Sequence, residues 1–320
     1  MSNEMTNSIF TIRLKTMHKL LYITLAVLIT SCNSGTSNID ADTDIDSNRL
    51  ESLEDLKLTQ EFKDYWYSGK AEISSYELSQ SRYGEMRDGK SVMIFVTEPF
   101  NTVDEVKADN PSEDNRPVMK LNVTRDFNTG IYPYSIMSST FLPLDKKDNA
   151  IKISSSIQEW CGHTYMQLNQ YDKVYDVSLF SYFQSEQEEY FEVEHVMTEN
   201  QIPIELRIDP TTMPTGELKL IPSLEYLRLK HVETKPYEAT ASFREIEDGY
   251  LYSVRFKELD RIIAFKTQKE APYKVLSWME RYNDNGQPAV STGTLIKTLN
   301  TPYWSQKGSE YEVLRDSLQL

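Results

Sequence analysis

Residues 150–160 read AIKISSSIQEW and residues 174–183 read VYDVSLFSYF. Both runs are rich in β-branched and aromatic residues, the composition of a strand on a pleated, half-buried surface. The same texture recurs in SVMIFVT (91–97), PVMKLNV (117–123) and EYFEVEHVM (189–197). It returns in ELKLIPSLEYLRLKH (217–231), YEATASFREI (237–246), YLYSVRF (250–256), RIIAFKT (261–267) and TGTLIKTL (292–299). About a dozen such runs without βαβ alternation predict an all-β, mainly antiparallel fold of curved sheets or tandem half-barrels. The 20 tyrosines and only 11 glycines fit a twisted, well-filled sheet.

Asp88-Gly89, Asp248-Gly249 and Asn285-Gly286 stand between strand-like runs and predict hairpin turns. Pro203, Pro210, Pro214 and Pro222 crowd the middle of the chain, which predicts a crossover and an internal seam near 200–222. Two helices are expected. Leu53, Leu56, Phe62, Tyr65 and Trp66 recur near helical spacing, with Ser52 as the cap, Asp55 in the first turn and Gly69 as the stop. A closing helix over SEYEVLRDSLQL (309–320) is expected to cover a sheet edge, with Tyr311, Leu314 and Leu318 on one side.

The N-terminus reads as an export signal. Arg13, Lys15, His18 and Lys19 precede LLYITLAVLITSC (20–32), an apolar run too short to span a bilayer as a helix. Ile29, Thr30 and Ser31 before Cys32 resemble a bacterial lipobox, and either Met1 or Met17 serves as a start. The expectation is a lipoprotein signal peptide over 1–31, a lipidated Cys32, a disordered acidic tether over 32–50, and a β-rich globular region over 51–320. Asn33 after the cysteine fits outer-membrane sorting. Loss of residues 1–31 removes Glu4, Arg13, Lys15 and Lys19, leaving 31 basic against 48 acidic residues and a net charge of −17. Such a chain is repelled by nucleic-acid phosphates. Its expected partners are the membrane through Cys32 and a lipid, a glycan or an envelope protein.

Cys161 is then the sole thiol, so stability rests on the core rather than on disulfides. In QEWCGHTY (158–165), Glu159, Cys161 and His163 share a face if the strand continues, which allows a nucleophile, a base and an orienting carboxylate. The i, i+2 separation is about 6.5–7 Å, too long for a thiol–imidazole hydrogen bond. A small apolar Cys161 packed in the sheet is therefore the favoured reading. SRYGEMRDGK (81–90) and FVTEPF (95–100) place Arg82, Tyr83, Glu85, Arg87 and Glu98 around a hairpin mouth, as ion pairs or as a polar site. Tyr132 and Tyr134 flank Pro133 and offer a binding lip, and Trp160 and His163 offer further contacts. No dinucleotide, P-loop, zinc-protease, nucleophile-elbow or paired-cysteine motif is present, so no metal and no cofactor is expected.

YWYSGKAEISSYELSQSRYGEMRDG (65–89), SVMIFVTEPF (91–100), KLNVTRDFNTGIYPYSIMSSTF (120–141) and SIQEWCGHTYMQLN (156–169) resemble a family of secreted lipoproteins of the Bacteroidota. Members often carry the label "septum formation inhibitor Maf". The cytoplasmic Maf pyrophosphatases are α/β proteins opening with a Ser-x-Ser-Pro-Arg-Arg-like stretch, which this chain lacks. The resemblance implies a class and a compartment, the cell envelope, and no activity. The β pattern also resembles half-barrel lipid or lipoprotein carriers of the LolA and LolB type. The resulting expectation is a non-enzymatic binding module for an apolar or amphipathic ligand or a partner protein. The alternatives are an envelope hydrolase or transferase using Cys161 and His163, and a structural bridging protein.

Overall fold

The computed structural model describes residues 49–50 and 52–320. The expected signal peptide, Cys32 and the tether up to residue 48 lie outside the described residues. Fifteen strands form one sheet. The first nine are β1 (Ala71–Arg82), β2 (Glu85–Asn101), β3 (Val106–Lys107), β4 (Asn115–Thr129), β5 (Tyr132–Pro143), β6 (Lys152–Glu159), β7 (Gly162–Tyr171), β8 (Val174–Ser181) and β9 (Glu188–Glu194). The rest are β10 (Gly216–Leu220), β11 (Tyr237–Ile246), β12 (Gly249–Phe256), β13 (Arg261–Thr267), β14 (Val275–Asp284) and β15 (Gln287–Thr301).

Neighbours run β10-β11-β12-β13-β14-β15-β1-β2-β4-β5-β6-β7-β8-β9, with β3 beside β2. All of these pairings are antiparallel. Nearly every neighbour in space is a neighbour in sequence, so tight turns set the register. The exceptions are β2 against β4, which skips the short β3, and β1 against β15, with Ala71 opposite Thr301, which joins the two halves of the chain.

Consecutive strands β9 and β10 stand at opposite ends of this order, so residues 195–215 cross between them. Here the proline-rich segment forms a 3₁₀ turn (Glu199–Gln201) and helix α2 (Ile202–Ile208), which follows α1 (Gln60–Trp66) in chain order. Helix α3 (Leu224–Lys230) comes directly after β10. The exits of the two end strands meet: Thr198 and Ile221 form a parallel bridge, and Glu199 N donates to Ile221 O at 2.9 Å. The sheet therefore curves around α2 and α3. Their Ile204, Leu224 and Leu227 join inward residues Met93, Met119, Ile136, Ile153 and Trp278 in the main core. A second cluster packs Ile202 and Leu206 on Tyr252, Val254 and Ile263.

Several local expectations change in the fold. Leu224–Lys230, expected as strand, is helical, because Pro222 lacks an N–H and Ser223 Oγ caps the turn by accepting from Tyr226 N at 3.4 Å. The first expected helix begins late: Thr59, not Ser52, is its cap, accepting from Phe62 N at 3.1 Å. Upstream, the backbone around Asp55 is drawn into pairing with Lys146, with Leu56 N donating to Asp145 O at 3.0 Å. Asp88-Gly89 is not a turn but lies within β2. Gly89 permits close strand approach there, since a Cβ would stand 2.2 Å from Asp126 O. The turn is instead Tyr83-Gly84, with φ of 59° and 79°. Asn285-Gly286, with φ of 56° and 83°, is a hairpin turn as expected.

Charged side chains are buried among these apolar layers. Arg207 of α2 and Glu72 of β1 are fully buried and bidentate, at 2.5 and 2.7 Å. Arg207 Nε also donates to Pro272 O at 2.6 Å, and Tyr65 Oη donates to Glu72 at 2.5 Å. Burial pushes the Glu72 carboxyl up, but the charge and hydrogen bonds of Arg207, with the Tyr65 hydroxyl, outweigh it and hold the carboxyl below its usual range. A second network joins Arg261 to Glu199 and Glu280, and Arg125 to Glu280 at 3.0 Å. Arg207→Met alone strands Glu72 as a buried charge and is expected to cost about 3–5 kcal/mol in urea unfolding. Combining it with Glu72→Leu is expected to recover a large part of that loss. A double variant as unstable as the single one would show that shape, not charge, dominates this contact.

Candidate functional site

Strand alternation places the β1–β2, β4–β5, β6–β7 and β8–β9 hairpins at one end of the sheet. Most of the residues singled out in the sequence gather there. Arg82 NH2 donates to Tyr83 Oη at 3.2 Å and to Tyr134 Oη at 3.1 Å, and the two hydroxyls are 2.7 Å apart. Tyr132 stands with its ring centroid 6.0 Å from that of Tyr134, which is buried and stacks on Phe127 at 5.1 Å. Arg82 NH1 donates to Leu229 O at 2.7 Å, so this cation closes the C-terminal turn of α3. The cluster thus spends its polar groups on its own chain. The Arg82/Glu85/Arg87/Glu98 network does not form: Glu85 pairs with Arg87 at 2.8 Å, while Glu98 pairs with Lys120 at 2.9 Å. Trp160 projects from the β6–β7 tip and is 68% exposed.

Glu159, Cys161 and His163 do not form a catalytic face. The chain reverses at Trp160-Cys161, with Glu159 opposite Gly162 and Gln158 opposite His163. Cys161 is exposed rather than packed in the sheet, because it stands at a two-residue hairpin tip. Glu159 accepts from Cys161 N at 2.8 Å. The hydrogen bond to Glu159, then desolvation and the carboxylate's charge, push the thiol above its usual range. That is the opposite of nucleophile activation.

A large, mostly apolar concavity lies elsewhere, on the outer face of the sheet. Beyond β15 the chain folds back as residues 302–320, ending in helix α4 (Val313–Leu318). Leu318 is buried, and its carbonyl accepts from Ser75 Oγ of β1 at 2.6 Å. The closing helix therefore covers a sheet face, not the edge expected from the sequence. Between it and the sheet runs a groove of about 650 Å³. Ile73, Val92, Ile94 and Leu299 form its floor, and Tyr311, Leu314 and Leu318 its roof. Lys90, Asp126 and Arg315 are the charged lining residues. Tyr311, Leu314 and Leu318 were singled out in the sequence as one side of the closing helix, but not as the wall of a site. One signal was present: SVMIFVT is continuously apolar, so β2 presents Met93 and Phe95 inward and also Val92 and Ile94 outward. A strand apolar on both faces needs a cover on both.

A smaller cleft of about 220 Å³ is lined by Leu56, Leu142, Ile208, Met213 and Glu205. Burial pushes the Glu205 carboxyl up to about 7, although Gln201 Nε2 donates to it at 2.7 Å. Among the described residues, no group of three or more His, Cys, Asp or Glu side chains is placed to hold a metal ion. Among them too, no helix is long and apolar enough to cross a membrane.

No family model matches the chain, and no curated protein matches it. A solved structure with a similar trace is the β-barrel-like protein of the domain of unknown function DUF1849 from Brucella abortus. It is 11% identical, with a TM-score of 0.44, over 72% of this chain and 98% of that one.

Two measurements check this geometry. Cys161 is expected to alkylate in the folded protein without denaturant, with a pH midpoint above the model thiol value, and Glu159→Gln is expected to lower that midpoint. Protection until denaturant is added would contradict the exposed hairpin tip. Glu205 binds its proton more tightly folded than unfolded, so its contribution to stability is present below pH 4.5 and is lost as pH rises to about 7. Glu205→Gln is accordingly expected to stabilise by about 2–4 kcal/mol above pH 7 and to be near neutral at pH 4. Thermal unfolding at the two pH values reads the difference.

Proposed function

We propose that this protein is a lipid-anchored envelope binding module whose ligand is an amphipathic small molecule, held in the groove between the sheet and α4. One observation carries the reading: a concavity of about 650 Å³ with apolar walls on both sides and a few charged groups at its margin. That size and that lining are typical of small-molecule sites. The raised thiol of Cys161 favours binding over nucleophilic catalysis.

The membrane anchor rests on the sequence before and at Cys32. The geometry at Arg49 is compatible with it. Arg49 is held by Asp148 at 2.6 Å, in the β5–β6 connection, at the end of the sheet opposite the β1–β2 hairpin. A partner protein is a second reading, favoured by Tyr165, Phe180 and Tyr190, which stand exposed side by side on β7, β8 and β9 with centroids 6.4 and 5.7 Å apart.

Solvent extraction of the purified protein, followed by mass spectrometry, is expected to yield a single class of amphipathic compound. An environment-sensitive fluorescent fatty acid is expected to bind saturably, and Ile94→Trp, which fills the groove floor, to weaken it at least about tenfold. Absence of both an extracted compound and saturable binding would refute the small-molecule reading and leave the partner protein.

A further inference from the structure

We infer that the groove selects a lipid with one acyl chain and an anionic group, the anion lying between Lys90 and Arg315. The inference rests on the groove being a ligand site. Size limits the occupant first. At on the order of 30 Å³ per non-hydrogen atom, the share of a liquid water, about 650 Å³ holds roughly 20 such atoms. That matches one long chain with a small head.

Charge limits it second. The chain carries 49 acidic against 34 basic residues, and the side chains lining the groove include two cations, Lys90 and Arg315, beside Asp126 and the terminal Leu320. Lys90 lies between Glu77 and Asp126 in register on neighbouring strands. Neither carboxylate pairs with it, and Arg315 likewise has no ion-pair partner among the described residues. Asp126 instead accepts from Ser135 Oγ at 2.8 Å. Lys90 stands on the sheet wall and Arg315 on the covering helix, so an anion held by both also ties α4 to the sheet. Apolar burial supplies affinity for the chain. The cations then choose the head, because a charge-assisted hydrogen bond is stronger than a neutral one.

Three probes of equal chain length separate the possibilities: palmitate, hexadecyl phosphate and hexadecanol, titrated into the full protein by displacement of the fluorescent fatty acid. The expected result is that at least one of the two anions binds about tenfold more tightly than the alcohol. Preference between the two anions tells a carboxylate from a phosphate source. The Lys90→Gln, Arg315→Gln double variant is expected to erase the difference and to leave hexadecanol binding within about twofold, which also shows that the variant is folded. Arg315→Lys is expected to restore part of the preference. Equal binding of all three probes to the parent protein would overturn the head-group selection while leaving the groove as a site. Binding of none, or binding unaffected by Ile94→Trp, would overturn both.

Discussion

The bidentate pair between Arg207 and Glu72 is the contact on which the rest of the structure depends. Helix α2 has seven residues, far too few to persist alone in water. Arg207 ties it to β1, the strand that joins the two halves of the sheet, and to the carbonyl of Pro272 before β14. Trp66 and Phe95 lie within 5.0 Å of the guanidinium and exclude water from it. Two charges so deeply buried are tolerated only when every partner is in place. The pair therefore specifies one seat for the crossover inside the curved sheet.

A second set of buried charges holds the other end of the same crossover. Glu199 meets Arg261 and accepts from Ser223 N at 3.1 Å, while Asn200 donates to Glu225 at 2.9 Å and accepts from Leu224 N at 3.1 Å. These contacts start α3 as well as seat the turn before α2. With both helices in place the inner face is filled, and the cavity beside Arg125, Glu199 and Glu280 is only about 40 Å³. A curved sheet that packs its own crossover against its inner face leaves little open space there. The apolar groove of about 650 Å³ lies instead on the outer face, where the C-terminal segment covers β1, β2 and β15.

Strand composition and turn chemistry were legible because they are local. Val, Ile, Tyr and Phe runs report a pleated surface, and Asn285-Gly286 reports a turn needing positive φ at both positions. Asp88-Gly89 misled for an instructive reason. The same lack of a side chain that suits glycine to a turn suits it to the crowded contact with Asp126 O, and only the neighbouring strand tells the two apart. ELKLIPSLEYLRLKH carried both a strand and a helix in one apolar run, divided by Pro222 and the cap Ser223. Around QEWCGHTY the relation of Cys161 to His163 turned on whether the strand continued, and the hairpin at Trp160-Cys161 ended it.

Taken alone, the residues determined the strand-forming texture, the absence of βαβ alternation and the acidity, because each depends on neighbours in sequence. Tertiary structure decided three things that no local pattern encodes. It set β1 beside β15, brought Arg207 to Glu72 across 135 positions, and laid Leu314 and Leu318 over Ile73 and Val92. Arg82, Tyr83, Tyr132 and Tyr134 do converge, but their hydrogen bonds close within the chain, whereas Lys90 and Arg315 line one groove only because the closing helix folds back. Long-range contacts of this kind follow from burying the apolar face of one element against another, and that choice is made by the whole chain at once.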